Sequence, residues 1–148
     1  MKALELYRWI AGSMADFTSQ FKNNESLFRQ AREYWSKLEA TSVIILMIFI
    51  IVGITMTTLY YGPYNNLPGR HFRPIHWLYF LGATFLVTLL LTWCCVGCLE
   101  PSSLHGVDVL HFKLAIGNAI YASILYLIFS WVWCQLNLPT NACRIFKI

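Results

Sequence analysis

The stretch TSVIILMIFIIVGITMTTLYY, residues 41–61, carries no charged side chain and decides the fold of this chain. As a helix rising 1.5 Å per residue it would cover about 30 Å, the thickness of the hydrocarbon core of a bilayer. Two further stretches have the same character: HWLYFLGATFLVTLLLTWCCVGC at 76–98 and LAIGNAIYASILYLIFSWVWC at 114–134. The three stretches predict three transmembrane helices.

The composition of the whole chain agrees with a membrane environment. Of its 148 residues, 57% are apolar and only 12% are charged, whereas a soluble domain has a charged fraction of about 25%. A small soluble domain has much surface for its volume and needs polar side chains to cover it. We therefore predict an all-α integral membrane protein, with a three-helix transmembrane bundle in residues 41–148.

Residues 1–40 form a different region, because they hold eleven of the eighteen charged residues. Apolar residues recur there at the spacing of one helix face. Asn24 is expected to cap a second helix of this region, which leads to the first crossing. This amphipathic arm should either lie in the membrane interface or dock onto a partner, since a free arm does not leave an apolar stripe in water. The stripe consists of Leu6, Ile10, Met14, Phe17 and Phe21.

Three crossings assign the segments between them to two sides of a bilayer. The 62–75 loop and the C-terminal tail share one side, and the arm and the 99–113 loop share the other. Lys and Arg near the crossings are almost equal on the two sides, so the positive-inside rule does not decide the orientation. We expect no leader peptide and place the arm on the cytoplasmic or matrix side of a bacterial or mitochondrial inner membrane. Aromatic residues that favour the interface collect on the loop-and-tail side: Tyr60, Tyr61, Tyr64, Trp77, Tyr79, Trp131 and Trp133.

Small residues at intervals of four mark a packing face on the third crossing. Ala115, Ala119 and Ser123 predict a close approach to another helix. Asn118 is an amide deep in the same crossing, and a buried amide needs a partner. We expect it to bond across a helix interface.

Three threonines form a second stripe, on the second crossing. Thr84, Thr88 and Thr92 would either pack between helices, with hydroxyls bonded to their own backbone, or line a pore in an oligomer. The crossings hold no Asp, Glu, Lys or Arg, which argues against an ion pump or voltage sensor.

The stretch TWCCVGCLEPSSLHGVDVLHFK, residues 92–113, combines three cysteines with two histidines. Cys95, Cys98, His105 and His111 could form a zinc site. Only six residues separate Cys98 from His105, however, and an apolar helix end disfavours a thiolate. We therefore expect no metal.

The remaining polar positions suggest local roles. Cys134 and Cys143 could form a disulfide if their side of the membrane is oxidising. Arg70, His71 and Arg73 cluster in the 62–75 loop and could contact lipid phosphate or an acidic partner.

In architecture the chain resembles the three-span membrane anchors of respiratory complexes, in which histidine binds haem between subunits. The resemblance implies haem or quinone as a cofactor. His76 and His111, which lie nearest the helix starts, would hold it. All four histidines lie in or beside loops, so no cofactor is expected.

The chain lacks the motifs of an enzyme acting alone, including a serine triad, a phosphate loop and a metalloprotease helix. Its net charge of +4 is scattered and gives no footprint for nucleic acid. We expect a non-catalytic accessory or structural subunit of a larger membrane complex, in contact with the lipid bilayer and with other membrane subunits or copies of itself. The alternatives are a homo-oligomeric pore-forming or membrane-disrupting effector, holin-like or defence-like, and a haem- or quinone-binding anchor.

Overall fold

The structure is a computed structural model that describes residues 3–65, 67–68, 73–99, 104, 107–136, 143 and 146. Within these residues the secondary structure is helical, with no strand. Three of the described helices are long and apolar enough to cross a membrane, which confirms the predicted number. The elements in chain order are a 3₁₀ segment (Ala3–Tyr7), α1 (Arg8–Ala11), α2 (Met14–Ser19), α3 (Glu25–Leu59), a π segment (Tyr60–Tyr64), α4 (Pro74–Gly97) and α5 (Val107–Gln135).

The first half of the arm is broken rather than one continuous helix. Gly12 has φ of 77°, a left-handed conformation that favours glycine, and it separates α1 from α2. Before the break, Leu4, Leu6 and Tyr7 lie in the 3₁₀ segment, which has three residues per turn. Leu4 and Tyr7 are buried there, while Leu6 of the predicted stripe is 41% exposed. Of the predicted stripe, Phe17 faces inward as expected, whereas Leu6 does not.

A capping box begins α2. The Asp16 N–H donates to Ser13 Oγ at 3.2 Å, and the Ser13 N–H donates to Asp16 Oδ2 at 3.0 Å. Hydrogen bonds from the Ser13 side chain and backbone hold the pKa of Asp16 below its usual value of 3.8. The stabilisation from this carboxylate is thus present above that usual value and is lost as the pH falls through the lowered pKa.

Helix α3 begins at the predicted cap. The N–H groups of Ser26 and Leu27 donate to Asn24 Oδ1 at 3.1 and 3.4 Å, which confirms Asn24 as the capping residue. From Glu25 the helix continues without interruption to Leu59. The second arm helix and the first crossing are therefore one helix, and residue 40 marks a change of side chains rather than a helix end.

Contacts within α3 stabilise the helix on both sides of residue 40, where its side chains change from polar to apolar. On the polar side, Lys37 Nζ lies 3.1 Å from Glu33 Oε1, an exposed i,i+4 pair in the favourable order. At the start of the apolar side, the Thr41 hydroxyl donates to the Lys37 carbonyl at 3.0 Å and the Ser42 hydroxyl to the Glu39 carbonyl at 2.6 Å. Because these hydroxyls donate hydrogen bonds to the backbone of their own helix, they do not need water as a partner.

Helix α5 starts earlier than the sequence indicated. It begins at Val107 rather than near 114, so His111 and Lys113 lie on a helix and not in the predicted 99–113 loop. Asp108 stands in the first turn, where a negative charge interacts favourably with the helix dipole. Polar residues such as His111 and Lys113 therefore did not indicate a loop in this segment.

The chain forms two compact units, and each long helix contributes to both. The first unit comprises Met1–Ile48 and Leu89–Asn118. In it the Phe17 ring of the arm packs beside Tyr34 and Trp35 of α3, with ring centroids 6.0 and 5.6 Å away. The arm is thus covered around Phe17 by α3 of the same chain.

The second unit comprises Phe49–Thr88 and Ala119–Ile148. Here α3 and α5 meet closely at Gly53, where an added Cβ would lie 3.0 Å from Leu125 Cδ2. Part of the predicted aromatic belt forms the core, while Tyr79 and Trp131 point outward. The core group, called the aromatic cluster below, consists of Tyr60, Tyr61, Trp77, Tyr126, Cys134 and Cys143.

Candidate functional site

A buried polar centre in the first unit joins the arm to all three long helices. The Asn118 side chain is fully buried on α5. Its Nδ2 donates to the Ile45 carbonyl of α3 at 3.0 Å and to Thr92 Oγ1 of α4 at 2.6 Å. Its Oδ1 accepts from the Tyr7 hydroxyl of the arm at 2.7 Å. One side chain of α5 therefore bonds to three other segments of the chain: the arm, α3 and α4.

This geometry uses the hydrogen-bonding capacity of the amide inside a single chain. Both N–H donors are engaged and the carbonyl oxygen has a partner, so the polar group is buried without a large penalty. The sequence indicated that Asn118 would bond across a helix interface. It did not indicate Tyr7, because that residue lies beside the predicted stripe, in a 3₁₀ segment rather than an α-helix.

The small residues of α5 are mostly used within the chain. Ala115 in the first unit and Ala119 in the second are both fully buried. Ser123 is half-buried, and its hydroxyl donates to the Ala119 carbonyl at 2.9 Å. Of the predicted packing face, only Ser123 therefore reaches the surface of the chain.

The threonine stripe of α4 is also internal. Thr84, Thr88 and Thr92 are all fully buried. The Thr84 hydroxyl donates to the Phe80 carbonyl at 2.7 Å, and the Thr88 hydroxyl to the Thr84 carbonyl at 2.8 Å. These contacts match the packing alternative, and a pore lining stays a prediction.

His111 lies in a second polar contact of the first unit. Its Nε2 lies 2.6 Å from the Tyr34 hydroxyl, and both residues are buried. The Trp93 ring stands edge-on to the imidazole, with the centroids 6.5 Å apart. A nitrogen that would bind haem iron is thus occupied by a phenol in this arrangement.

His76, the other candidate cofactor ligand, is half-buried at the start of α4. Its ring contacts Tyr64 edge-on at 5.7 Å and stacks on Tyr79 at 6.3 Å. A haem or quinone site at either histidine stays a prediction.

The candidate metal ligands are separated. Cys95 is half-buried near the end of α4, Cys98 is exposed just beyond it, and His111 contacts Tyr34. His105 lies outside the described residues. Among the residues that are described, there is no group of three or more His, Cys, Asp or Glu side chains that could hold a metal ion.

The loop and tail candidates are described in part. Arg70 and His71 lie outside the described residues, and Arg73 is exposed directly before α4. Cys134 and Cys143 are both buried in the aromatic cluster. The Cys134 thiol donates to the Tyr61 hydroxyl at 3.8 Å.

An apolar groove opens between α4 and α5 in the second unit, and it is called the outer groove below. Its volume is about 370 Å³. Gly82 leaves its floor open, since an added Cβ there would meet nothing within 4 Å. Ser123 lines the opposite wall, with Leu78, Phe85, Ile120 and Leu127 around the two small residues.

No protein-family model, curated protein or solved structure matches this chain. The polar centre and the outer groove are therefore interpreted from their own geometry.

Proposed function

We propose that this chain is an integral membrane protein that works by assembly, as an accessory subunit of a larger membrane complex. The supporting observation is how little of each apolar helix the chain covers by itself. In the most apolar stretch of Glu25–Tyr64, α4 and α5, only 28%, 22% and 39% of the residues are buried. The outward side chains need lipid or other helices around them, because large apolar surfaces are not left in water.

The polar groups support a structural role rather than a chemical one. Asn118, Thr92 and His111 engage partners within the chain. They hold the arm and the three helices in one arrangement and leave the outward faces apolar. A protein with a defined interior and apolar outer faces is suited to packing beside other membrane proteins.

The outer groove is the proposed contact with a neighbouring helix. Gly82 and Ser123 are small, so the backbone of a partner helix could approach closely there. The Ser123 hydroxyl is already hydrogen-bonded to its own helix. A partner helix therefore needs only a complementary shape and van der Waals contacts to bind in the groove. This moves the proposed contact from Ala115 and Ala119, which are internal, to the adjacent outward side of α5.

The test is the native mass of the protein after extraction from its own membrane in mild detergent, with companions identified. Wild-type protein should migrate with other polypeptides. Gly82→Leu should release it, because the new side chain fills the groove. Val87→Leu is the matched control, since it adds volume to an exposed position of the same helix outside the groove.

Two other outcomes would contradict the subunit proposal. A chain that runs alone as a monomer, with and without Gly82→Leu, would show that it does not assemble. A discrete homo-oligomer would instead favour the pore-forming alternative, which ion flux in liposomes would then examine.

A further inference from the structure

A cavity in the first unit lies between the arm and the first turns of α5, and it is called the arm groove below. Its volume is about 510 Å³. One wall comes from α1, the Gly12 turn and α2, and the other from Val109, Leu110 and Lys113 of α5. Charged and apolar side chains both line it, whereas no charged side chain is among the lining residues of the outer groove.

The charges of the arm groove favour an anion. Arg8 and Lys113 are its cations, and Asp16 is the only acid among its described lining residues. Asp16 is committed to the Ser13 cap. Arg8 also borders a second pocket, which Glu5 and Glu39 line, whereas Lys113 does not border that pocket. The lining as a whole carries one net positive charge.

The position of the groove along α5 indicates the depth of a lipid headgroup. Lys113 directly precedes the uncharged stretch 114–142, so it stands where the apolar part of the helix begins. Trp9, on the opposite wall, is 60% exposed. An indole beside a basic side chain at the end of an apolar helix is the usual arrangement of a membrane interface.

We propose that the arm groove binds the phosphate of an anionic phospholipid headgroup, with Lys113 as the principal cation and Arg8 as the second. A monoanionic phosphodiester matches the single net charge of the lining. The apolar side chains of Leu110 and Phe17 suit the glycerol and upper acyl region better than a free anion. The proposal rests on the membrane location proposed above.

The test compares lipids retained by the purified full-length protein. Membrane-extracted protein is exchanged into mixed micelles that contain phosphatidylglycerol and phosphatidylcholine with identical acyl chains, and bound lipid is quantified by native mass spectrometry. Wild type should retain phosphatidylglycerol preferentially. Lys113→Gln should lower that preference roughly fivefold, the effect expected of one basic residue near an anionic surface. Adding Arg8→Gln should lower it further.

Three comparisons keep the outcome specific. Lys113→Arg should retain the preference, and Lys22→Gln, which removes an exposed arm charge outside the groove, should leave it unchanged. Equal loss with Lys22→Gln would show a diffuse charge effect and overturn the proposal. Displacement of the lipid by millimolar inorganic phosphate would overturn the assignment to a lipid headgroup.

The result is separable from the proposed function. Protein recovered in the membrane fraction with no preference for phosphatidylglycerol would overturn only the lipid site. Protein absent from the membrane fraction would overturn the membrane location itself.

Discussion

Asn118 shows how one polar residue can organise several apolar helices. An amide in a hydrocarbon environment is costly unless its donors and acceptor are paired. Here the pairing is achieved with the arm, α3 and α4 at once. The same residue therefore sets which faces of these segments come together in the first unit.

Replacing Asn118 should destabilise the first unit more than replacing any one of its hydrogen-bond partners. Asn118→Leu removes three bonds at similar volume, so we expect a loss of about 2 kcal/mol, at roughly 0.6 kcal/mol for each bond in a membrane helix. Tyr7→Phe should cost about 0.6 kcal/mol by the same measure. Reversible unfolding in mixed micelles would give both values.

A double-mutant cycle would test whether the two residues act together. Tyr7→Phe should cost almost nothing in the Asn118→Leu background, because its acceptor is already gone. Tyr79→Phe is the control, since Tyr79 is 65% exposed. An equal cost of Tyr7→Phe in both backgrounds would contradict the observed bond.

At the scale of elements, two glycines on long helices have opposite surroundings. Gly53 of α3 lies where α5 approaches, with the Leu125 side chain and the Ala122 carbonyl within 3.4 Å of an added Cβ. Gly82 of α4 faces open space. The same substitution therefore has different consequences at the two positions.

Gly53→Leu should lower the free energy of unfolding by about 2 kcal/mol, since overpacking a close contact costs roughly 1–3 kcal/mol. Gly82→Leu should be neutral or slightly stabilising, because leucine is the better helix former and meets no neighbour. The unfolding midpoint of each variant in the same detergent would measure this. A large loss for Gly82→Leu would mean that its effect on assembly comes from the fold rather than from the groove.

The sequence predicted the long helices better than their ends. Charge-free stretches revealed three apolar helices, because about 20 consecutive apolar residues are a clear signal in a sequence. The start of α5 was missed because His111 and Lys113 change the polarity of a helix without ending it. The Gly12 break was also missed, as was the 3₁₀ segment before it, in which Tyr7 is buried.

At the scale of the whole molecule, three crossings predict an alternating exposure of the connecting segments. Single cysteines at Lys22, Leu67 and Leu136, with native Cys98 as the fourth, sample the segments on either side of each long helix. In sealed vesicles an impermeant maleimide should label position 22 and Cys98 together, or positions 67 and 136 together. An otherwise identical protein without cysteines measures the background labelling.

Labelling of all four positions in intact vesicles would contradict a membrane-spanning bundle. If only one pair is labelled in intact vesicles, detergent should make the other pair reactive, which would show that those cysteines can react. The pair labelled from the cytoplasmic or matrix face would also test the predicted orientation of the arm.

The bond between Tyr7 and Asn118 has a consequence for how the protein is made. The two residues are 111 positions apart, so a ribosome adding roughly 5–20 residues per second finishes the acceptor about 5–20 s after the donor. Throughout that interval the arm can contact Tyr34 and Trp35 of α3, but the part of its docking surface around Asn118 does not yet exist. The order of synthesis therefore makes the bond between Tyr7 and Asn118 a late event, which can form only after the last long helix has been started.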